Sequence, residues 1–166
     1  MDGQTVEILN TDAEGRLILA DALCYTAKNV KPDTIIDLAT LTGAVIHGLG
    51  HEVTAMFPRT AKLRDALSAA GQTVGEPVWE LPILDVHRDA MKGRSGGDLA
   101  NLAAGGVGAG TITGAAFLEN FVPKKIDWCH LDIAGTAWGS KDHGWRGGSL
   151  GTGVGTRLLV EYLESL

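Results

Sequence analysis

The 166-residue sequence has no excess of positive charge: 14 Lys+Arg stand against 20 Asp+Glu, a formal net charge of −6. Nucleic-acid-binding domains carry a basic patch or stripe, whereas the longest basic cluster here is Lys124-Lys125, so that class of partner is not expected. No apolar run approaches the ~20 residues that span a bilayer, and residues 1–16 lack the charged and apolar segments of a secretory signal. Cysteine is scarce. Cys24 and Cys129 lie far apart and form no CxxC pair, which suits buried free thiols in a reducing compartment, the cytoplasm by default. Several catalytic signatures are missing as well. There is no HExxH, no GxxxxGK[ST] and no GxSxG, and Gly151-x-Gly153-x-Gly155 does not have the dinucleotide-binding spacing.

What the sequence does have is glycine. Its 23 glycines are about twice the average usage. They follow no G-X-Y period, so they serve turns and close backbone approaches. Hydrophobic residues at 45% and charged residues at 20% are the balance of a folded domain.

Along the chain, short strands alternate with helical patterns. Strands are expected at Val6–Asn10, Thr34–Leu38, Val53–Phe57, Val78–Leu81 and Lys125–Asp132. Helices are expected at Leu17–Lys28, Gly43–Leu49, Ala61–Ala70 with Gly71 as C-cap, Thr111–Phe121 and Thr156–Leu163. Residues 92–110 and 135–153 read as glycine-rich loops. The alternation predicts an α/β fold, a mixed β-sheet flanked by helices on both faces. Ligands of open α/β sheets bind beyond the carboxyl ends of strands, which directs attention to the turns after Leu9, Leu38 and Asp132.

The densest chemistry lies in Asn10-Thr11-Asp12-Ala13-Glu14-Gly15-Arg16-Leu17. Asp12, Glu14 and Arg16 are two residues apart, and in an extended segment they share a side. Two carboxylates so placed can bind a divalent cation through oxygen, and an arginine beside them can hold an anion or a substrate oxygen. The same letters also fit a helix capping box, Thr11 at N-cap and Glu14 at N3. The second candidate, Asp37-Leu38-Ala39-Thr40-Leu41-Thr42-Gly43-Ala44, reads as strand end, turn and helix start. Its backbone groups could meet a peptide-like ligand, or Thr42 could simply cap the helix. The five histidines read as exposed or helix-capping, and the four tryptophans as core or interface packing.

The octapeptide Asn10–Leu17, with Ala20-Asp21-Ala22-Leu23 behind it, resembles the signature of the leucyl aminopeptidase (cytosol aminopeptidase) family. Three further segments resemble that family in the same order: Ala39–Ala44, Ile112-Thr113 to Phe117-Leu118, and His130–Gly135. The resemblance implies a metal-dependent exopeptidase that removes N-terminal residues, leucine-like ones among them, from peptides. It implies two divalent cations, manganese or zinc, with Asp12 and Glu14 as metal-binding carboxylates. Arg16 would be catalytic, holding a bicarbonate-like anion or stabilising the transition state. Thr40, Leu41, Gly43, Ala134 and Ala137 would bind substrate, and the chain would assemble as a homo-oligomer, a hexamer in the family. Two close cations suit this chemistry because they polarise the scissile carbonyl and activate water.

The resemblance also marks departures. The family's other metal ligands, two aspartates and a lysine, precede the octapeptide, as does its catalytic lysine, and none of the nine residues before Asn10 matches those motifs. Val107 stands where the family usually has arginine, in a loop that is longer here. Residues 1–166 therefore read as the C-terminal half of a metalloaminopeptidase catalytic domain, with an incomplete sheet, and inactive or nearly so alone. The rival readings are a non-catalytic interaction module derived from such an enzyme, and one half of a split enzyme.

Overall fold

A computed structural model of the chain describes residues 2–139 and 150–166. The residues fall into two compact units. One comprises the chain through Ile35 together with Pro82–Asp127, and the other Ile36–Leu81 with Trp128–Leu166.

In the first unit, β1 (Val6–Glu7) leads through a 3-10 turn (Thr11–Ala13) into α1 (Gly15–Tyr25). A π turn over Thr26–Val30 extends α1 and stops at Lys31, whose φ of 56° is left-handed, with Pro32 unable to continue the helix. After the excursion through the second unit come α4 (Asp85–Ala90), β5 (Leu99–Ala100) and α5 (Gly110–Glu119). β1 and β5 pair in parallel, Val6 opposite Leu99 and Glu7 opposite Ala100. α5 is buried almost all round, from Thr113 through Leu118, because Gly114-Ala115-Ala116 gives neighbours close access to its backbone. Packed against it are α1, which buries Ala20, Leu23 and Cys24, and α4.

The second unit is built on a four-stranded mixed sheet in the order β2-β6-β3-β4, with β2 (Thr34–Ala39), β3 (Thr54–Pro58), β4 (Val78–Glu80) and β6 (Asp127–Asp132). β3 runs antiparallel to β6, with Met56 opposite Leu131, and parallel to β4. β6 donates from Asp127 to Asp33 O and from Ile133 to Ala39 O, a constant offset of 94 residues that parallel pairing requires. β6 is an inner strand and buries Trp128 through Asp132. Its side chains alternate between faces. Cys129 and Leu131 join Met56 in the core under α3 (Ala61–Val74) and α6 (Thr156–Glu164), with Leu63, Leu67, Ala70, Leu158 and Tyr162. The remaining helix, α2 (Ala44–Leu49), follows β2.

The expected α/β fold with a mixed sheet and flanking helices is the observed one, and the differences are local. α3 does not stop at Gly71. It runs to Val74 and is capped by Gly75 at a φ of 70°, while Gly71 sits where a Cβ would lie 2.5 Å from the Glu76 carbonyl oxygen. Glu76 itself is buried and accepts from the N–H groups of Gly155 (3.0 Å) and Leu158 (3.1 Å) at the start of α6, where a carboxylate complements the helix dipole. Within residues 92–110, read as loop, two residues form β5, and α4 had no sequence signal. Both cysteines are buried free thiols as expected. The tryptophans divide: Trp128 is buried, while Trp79 and Trp138 are exposed, and Trp145 and His143 lie outside the described residues.

Candidate active site

The octapeptide lies in the first unit, and it is not extended. Asn10 closes a strand-like segment and caps the 3-10 turn, its Oδ1 accepting the Asp12 N–H at 2.8 Å. Helix α1 then starts at Gly15 with Glu14 as an N-cap whose side chain makes no capping bond. The capping box of Thr11 and Glu14 is therefore absent, and the two-residue alternation that put Asp12, Glu14 and Arg16 on one side does not apply, because a tight turn replaces the strand. The three side chains occupy different surroundings. Asp12 and Glu14 are exposed, and among the described residues neither carboxylate has a side-chain partner. Arg16 is buried, its Nη1 donating to the carbonyl of Asn101 at 2.9 Å.

Next to this turn, β1 is clasped to the glycine-rich loop. Glu7 Oε1 accepts backbone N–H groups of Arg94 (2.8 Å), Ser95 and Gly97 (3.0 Å). Asp98 Oδ2 accepts both the N–H and the hydroxyl of Thr5 at 2.7 Å. Both carboxyls are held below their ordinary range by these donors, the Arg94 N–H first for Glu7 and the Thr5 N–H first for Asp98. Gly97 must be glycine here, because a Cβ would lie 2.7 Å from Glu7 Cγ. The Cys24 thiol, on the buried side of α1, is pushed up to about 11, chiefly by burial and then by the Asp2 carboxylate.

The second candidate turn lies in the second unit, between β2 and α2. Its organiser is Asp132 at the end of β6, 1% exposed. Asp132 Oδ1 accepts the N–H groups of Leu41 (3.2 Å), Thr42 (3.4 Å) and Ala134 (3.2 Å), and Oδ2 accepts the Thr42 hydroxyl at 2.6 Å. Thr42 therefore does not cap α2; Gly43 is the N-cap residue. Thr40 and Gly43 are exposed, and Leu41, Ala134 and Ala137 are half-buried. One carboxylate thus draws Leu41, Thr42 and Ala134 together, and with them two of the segments singled out in the sequence. Leu41 and Thr42 spend their N–H groups on this buried carboxylate.

A second buried carboxylate, Asp37 of β2, accepts Trp128 Nε1–H at 2.7 Å and lies 2.6 Å from His130 Nδ1. His130 is fully buried, stacked near Phe57 and Trp128, neither exposed nor capping. His87 does cap, accepting the Leu84 N–H at 3.0 Å. His51 Nδ1 lies 2.8 Å from the Gly135 carbonyl, and His47 is exposed.

Exposed carboxylates on a rigid turn are the right donors for a divalent cation. Among the described residues, however, no three His, Cys, Asp or Glu side chains cluster as a metal site. Asp12 and Glu14 therefore fit as part of a ligand set, not as a whole one. Asn101 and Glu7 carry no signal in the sequence as site residues, and Asp132 is visible there only as part of a motif.

Fold and turns together define the class: an α/β protein whose chemistry-bearing residues sit on turns that follow strands. The model of the cytosol aminopeptidase family, catalytic domain, matches residues 1–160. A probable cytosol aminopeptidase of Geobacter sulfurreducens is 52% identical over 166 residues, covering 99% of this chain and 32% of its own length. One of Chlorobaculum tepidum is 50% identical over 165 residues, with the same shares. Among solved structures, a mutant of tomato leucine aminopeptidase superposes with a TM-score of 0.88 at 41% identity, over 99% of this chain and 31% of that one. The bottromycin maturation enzyme BotP superposes at 0.89 with 36% identity, over 99% and 36%. The chain belongs to the cytosol aminopeptidase family. It spans about a third of the length of the curated relatives it matches.

Proposed function

We propose that this chain is the C-terminal part of the catalytic domain of a metal-dependent aminopeptidase that removes N-terminal, leucine-like residues from peptides. The observation that carries this reading is the family match over residues 1–160 together with exposed Asp12 and Glu14 on a turn anchored by buried Arg16. Asp12 and Glu14 would bind divalent cations, manganese or zinc. Such cations supply Lewis-acid polarisation of the scissile carbonyl and a water made nucleophilic near neutral pH. The Arg16 guanidinium would hold a bicarbonate-like anion or offset charge developing in the transition state. The turn carrying Thr40, Leu41 and Gly43 would take the peptide backbone, and Ala134 and Ala137, being small, would leave room for the N-terminal side chain. The names of the relatives support a cytoplasmic enzyme, and no helix among the described residues is long and apolar enough to cross a membrane. Assembly as a homo-oligomer, a hexamer, belongs to the same reading.

Two carboxylates cannot fix two cations in a closed geometry, so the 166-residue chain by itself is expected to hydrolyse leucine p-nitroanilide with manganese slowly or not at all. Mixed with the remaining part of a relative such as the Geobacter sulfurreducens protein, it should gain activity that Glu14→Gln abolishes. Enzyme-like rates from the chain alone would overturn the partial-site reading. A mixture that assembles but stays inactive would overturn the aminopeptidase reading.

A further inference from the structure

The residue that bonds most completely to the octapeptide is not in it. Asn101 follows β5, is 0% exposed, and spends every polar group it has on the segment from Glu7 to Arg16. Its Oδ1 accepts the N–H groups of Leu9 (2.8 Å) and Asn10 (3.3 Å). Its Nδ2 donates to the carbonyls of Asn10 (2.6 Å) and Ala13 (3.5 Å). Its N–H donates to the Glu7 carbonyl at 2.9 Å, and its own carbonyl accepts from Arg16 Nη1 at 2.9 Å. An asparagine side chain has two acceptor sites and two donors, and all four are used. The anchored positions, 9, 10, 13 and 16, flank Asp12 and Glu14 on both sides, and Asn10 passes the constraint to the Asp12 N–H.

The chemistry of the brace matters. The turn presents both backbone donors and backbone acceptors, which a carboxylate could not match because it has no proton to give. An amide satisfies both, adds no charge beside Asp12 and Glu14, and has no lone pair left to compete with them for a cation. We propose that Asn101 is the positioning residue of this site: it fixes the turn so that Asp12 and Glu14 are presented for a divalent cation, and it holds Arg16 through its own carbonyl. This rests on the reading of Asp12 and Glu14 as metal ligands.

The test titrates manganese(II) into the full chain, with free metal read by electron paramagnetic resonance, and measures amide hydrogen exchange on the same samples without metal. Four proteins are compared: wild type, Asp12→Asn, Asn101→Ala and Leu118→Ala, the last removing a fully buried side chain of α5 as a stability control. Outer-shell partners of metal sites are worth about 10–100-fold in affinity. Asn101→Ala should weaken manganese binding by that factor and speed exchange at Leu9 and Asn10 selectively. Leu118→Ala should lower thermal stability at least as much while leaving affinity within about twofold. Equal affinity in Asn101→Ala and wild type, or equal losses in Asn101→Ala and Leu118→Ala, overturns the proposal. If wild type binds no manganese that Asp12→Asn removes, the ligand reading falls instead. Exchange then decides Asn101: selective acceleration at Leu9 and Asn10 upholds its hold on the turn, and uniform acceleration refutes it. Should Asn101→Ala not fold, Asn101→Ser is read in the same way.

Discussion

The turn after β1 is braced by a neutral amide and the turn after β2 by a carboxylate. Each brace is a buried side chain at the end of another strand of its own unit, Asn101 after β5 and Asp132 closing β6. The first turn offers mixed donors and acceptors and carries Asp12 and Glu14, so only a neutral group with both functions fits it. The second turn offers the N–H groups of Leu41 and Thr42 and the Thr42 hydroxyl, all donating, and the carboxylate accepts them together with the Ala134 N–H of its own segment. The polarity of a turn's backbone, more than its location, decides which side chain can hold it.

The largest effect is expected from removing the carboxylate. Asp132→Ala strands the N–H groups of Leu41, Thr42 and Ala134 and should cost about 3 kcal/mol or more in urea unfolding, since buried unsatisfied groups cost ~1–3 kcal/mol each. A loss under about 1 kcal/mol would mean that water replaces the brace and that the contrast with Asn101 is empty.

Exchanging the two chemistries sharpens the comparison. Asn101→Asp turns an oxygen toward the Asn10 and Ala13 carbonyls, which have no proton to offer, and should cost about 2 kcal/mol. This penalty should shrink on acidification, because a carboxyl raised in pKa by that repulsion regains a donor when protonated. Asp132→Asn keeps an acceptor for the N–H groups, and Thr42 can turn its hydroxyl to accept the new amide, so it loses charge assistance only, about 1 kcal/mol. Equal costs for the two exchanges would break the argument from backbone polarity.

Acid should next distinguish the clasp on β1. Glu7 and Asp98 have carboxyls depressed in the folded state, so their stabilisation is complete above the unfolded values and is lost as pH falls through the lower folded ones. Stability measured below pH 4.5, the ordinary value for glutamate, should therefore fall less steeply in Glu7→Gln than in wild type. Parallel pH profiles would count against the clasp.

The smallest effect concerns the thiols. With its pKa near 11, Cys24 should react with iodoacetamide at pH 8 only slowly, through a thiolate fraction of roughly one in a thousand. Labelling as fast as free cysteine would show that α1 opens readily.

Much of the fold is legible in the sequence where periodicity speaks. β-branched Thr34-Ile35-Ile36 marks β2, and the mixed pattern of Trp128–Asp132 marks an inner strand. The run Ala61–Ala70 marks the body of α3, to which the structure adds the Thr60 N-cap and a last turn. Reading failed where tertiary contacts decide. Gly71 looks like a helix terminator, but its reason is the Glu76 carbonyl. β5 is two residues long and exists because β1 pairs with it. The octapeptide gave the identity of the candidate residues but the wrong geometry, because Asn10 capping a tight turn overrides alternation. Asn101 and Glu7 carry no local pattern at all. A single polar residue announces its role only when the backbone it satisfies, some 90 residues away in sequence, is brought beside it.

The most direct test of the account is a manganese titration of the wild-type chain against the double variant Asp12→Asn, Glu14→Gln. The account predicts saturable binding in the wild type that disappears in the double variant while the unfolding transition is retained. Binding that is undiminished in the double variant would contradict it.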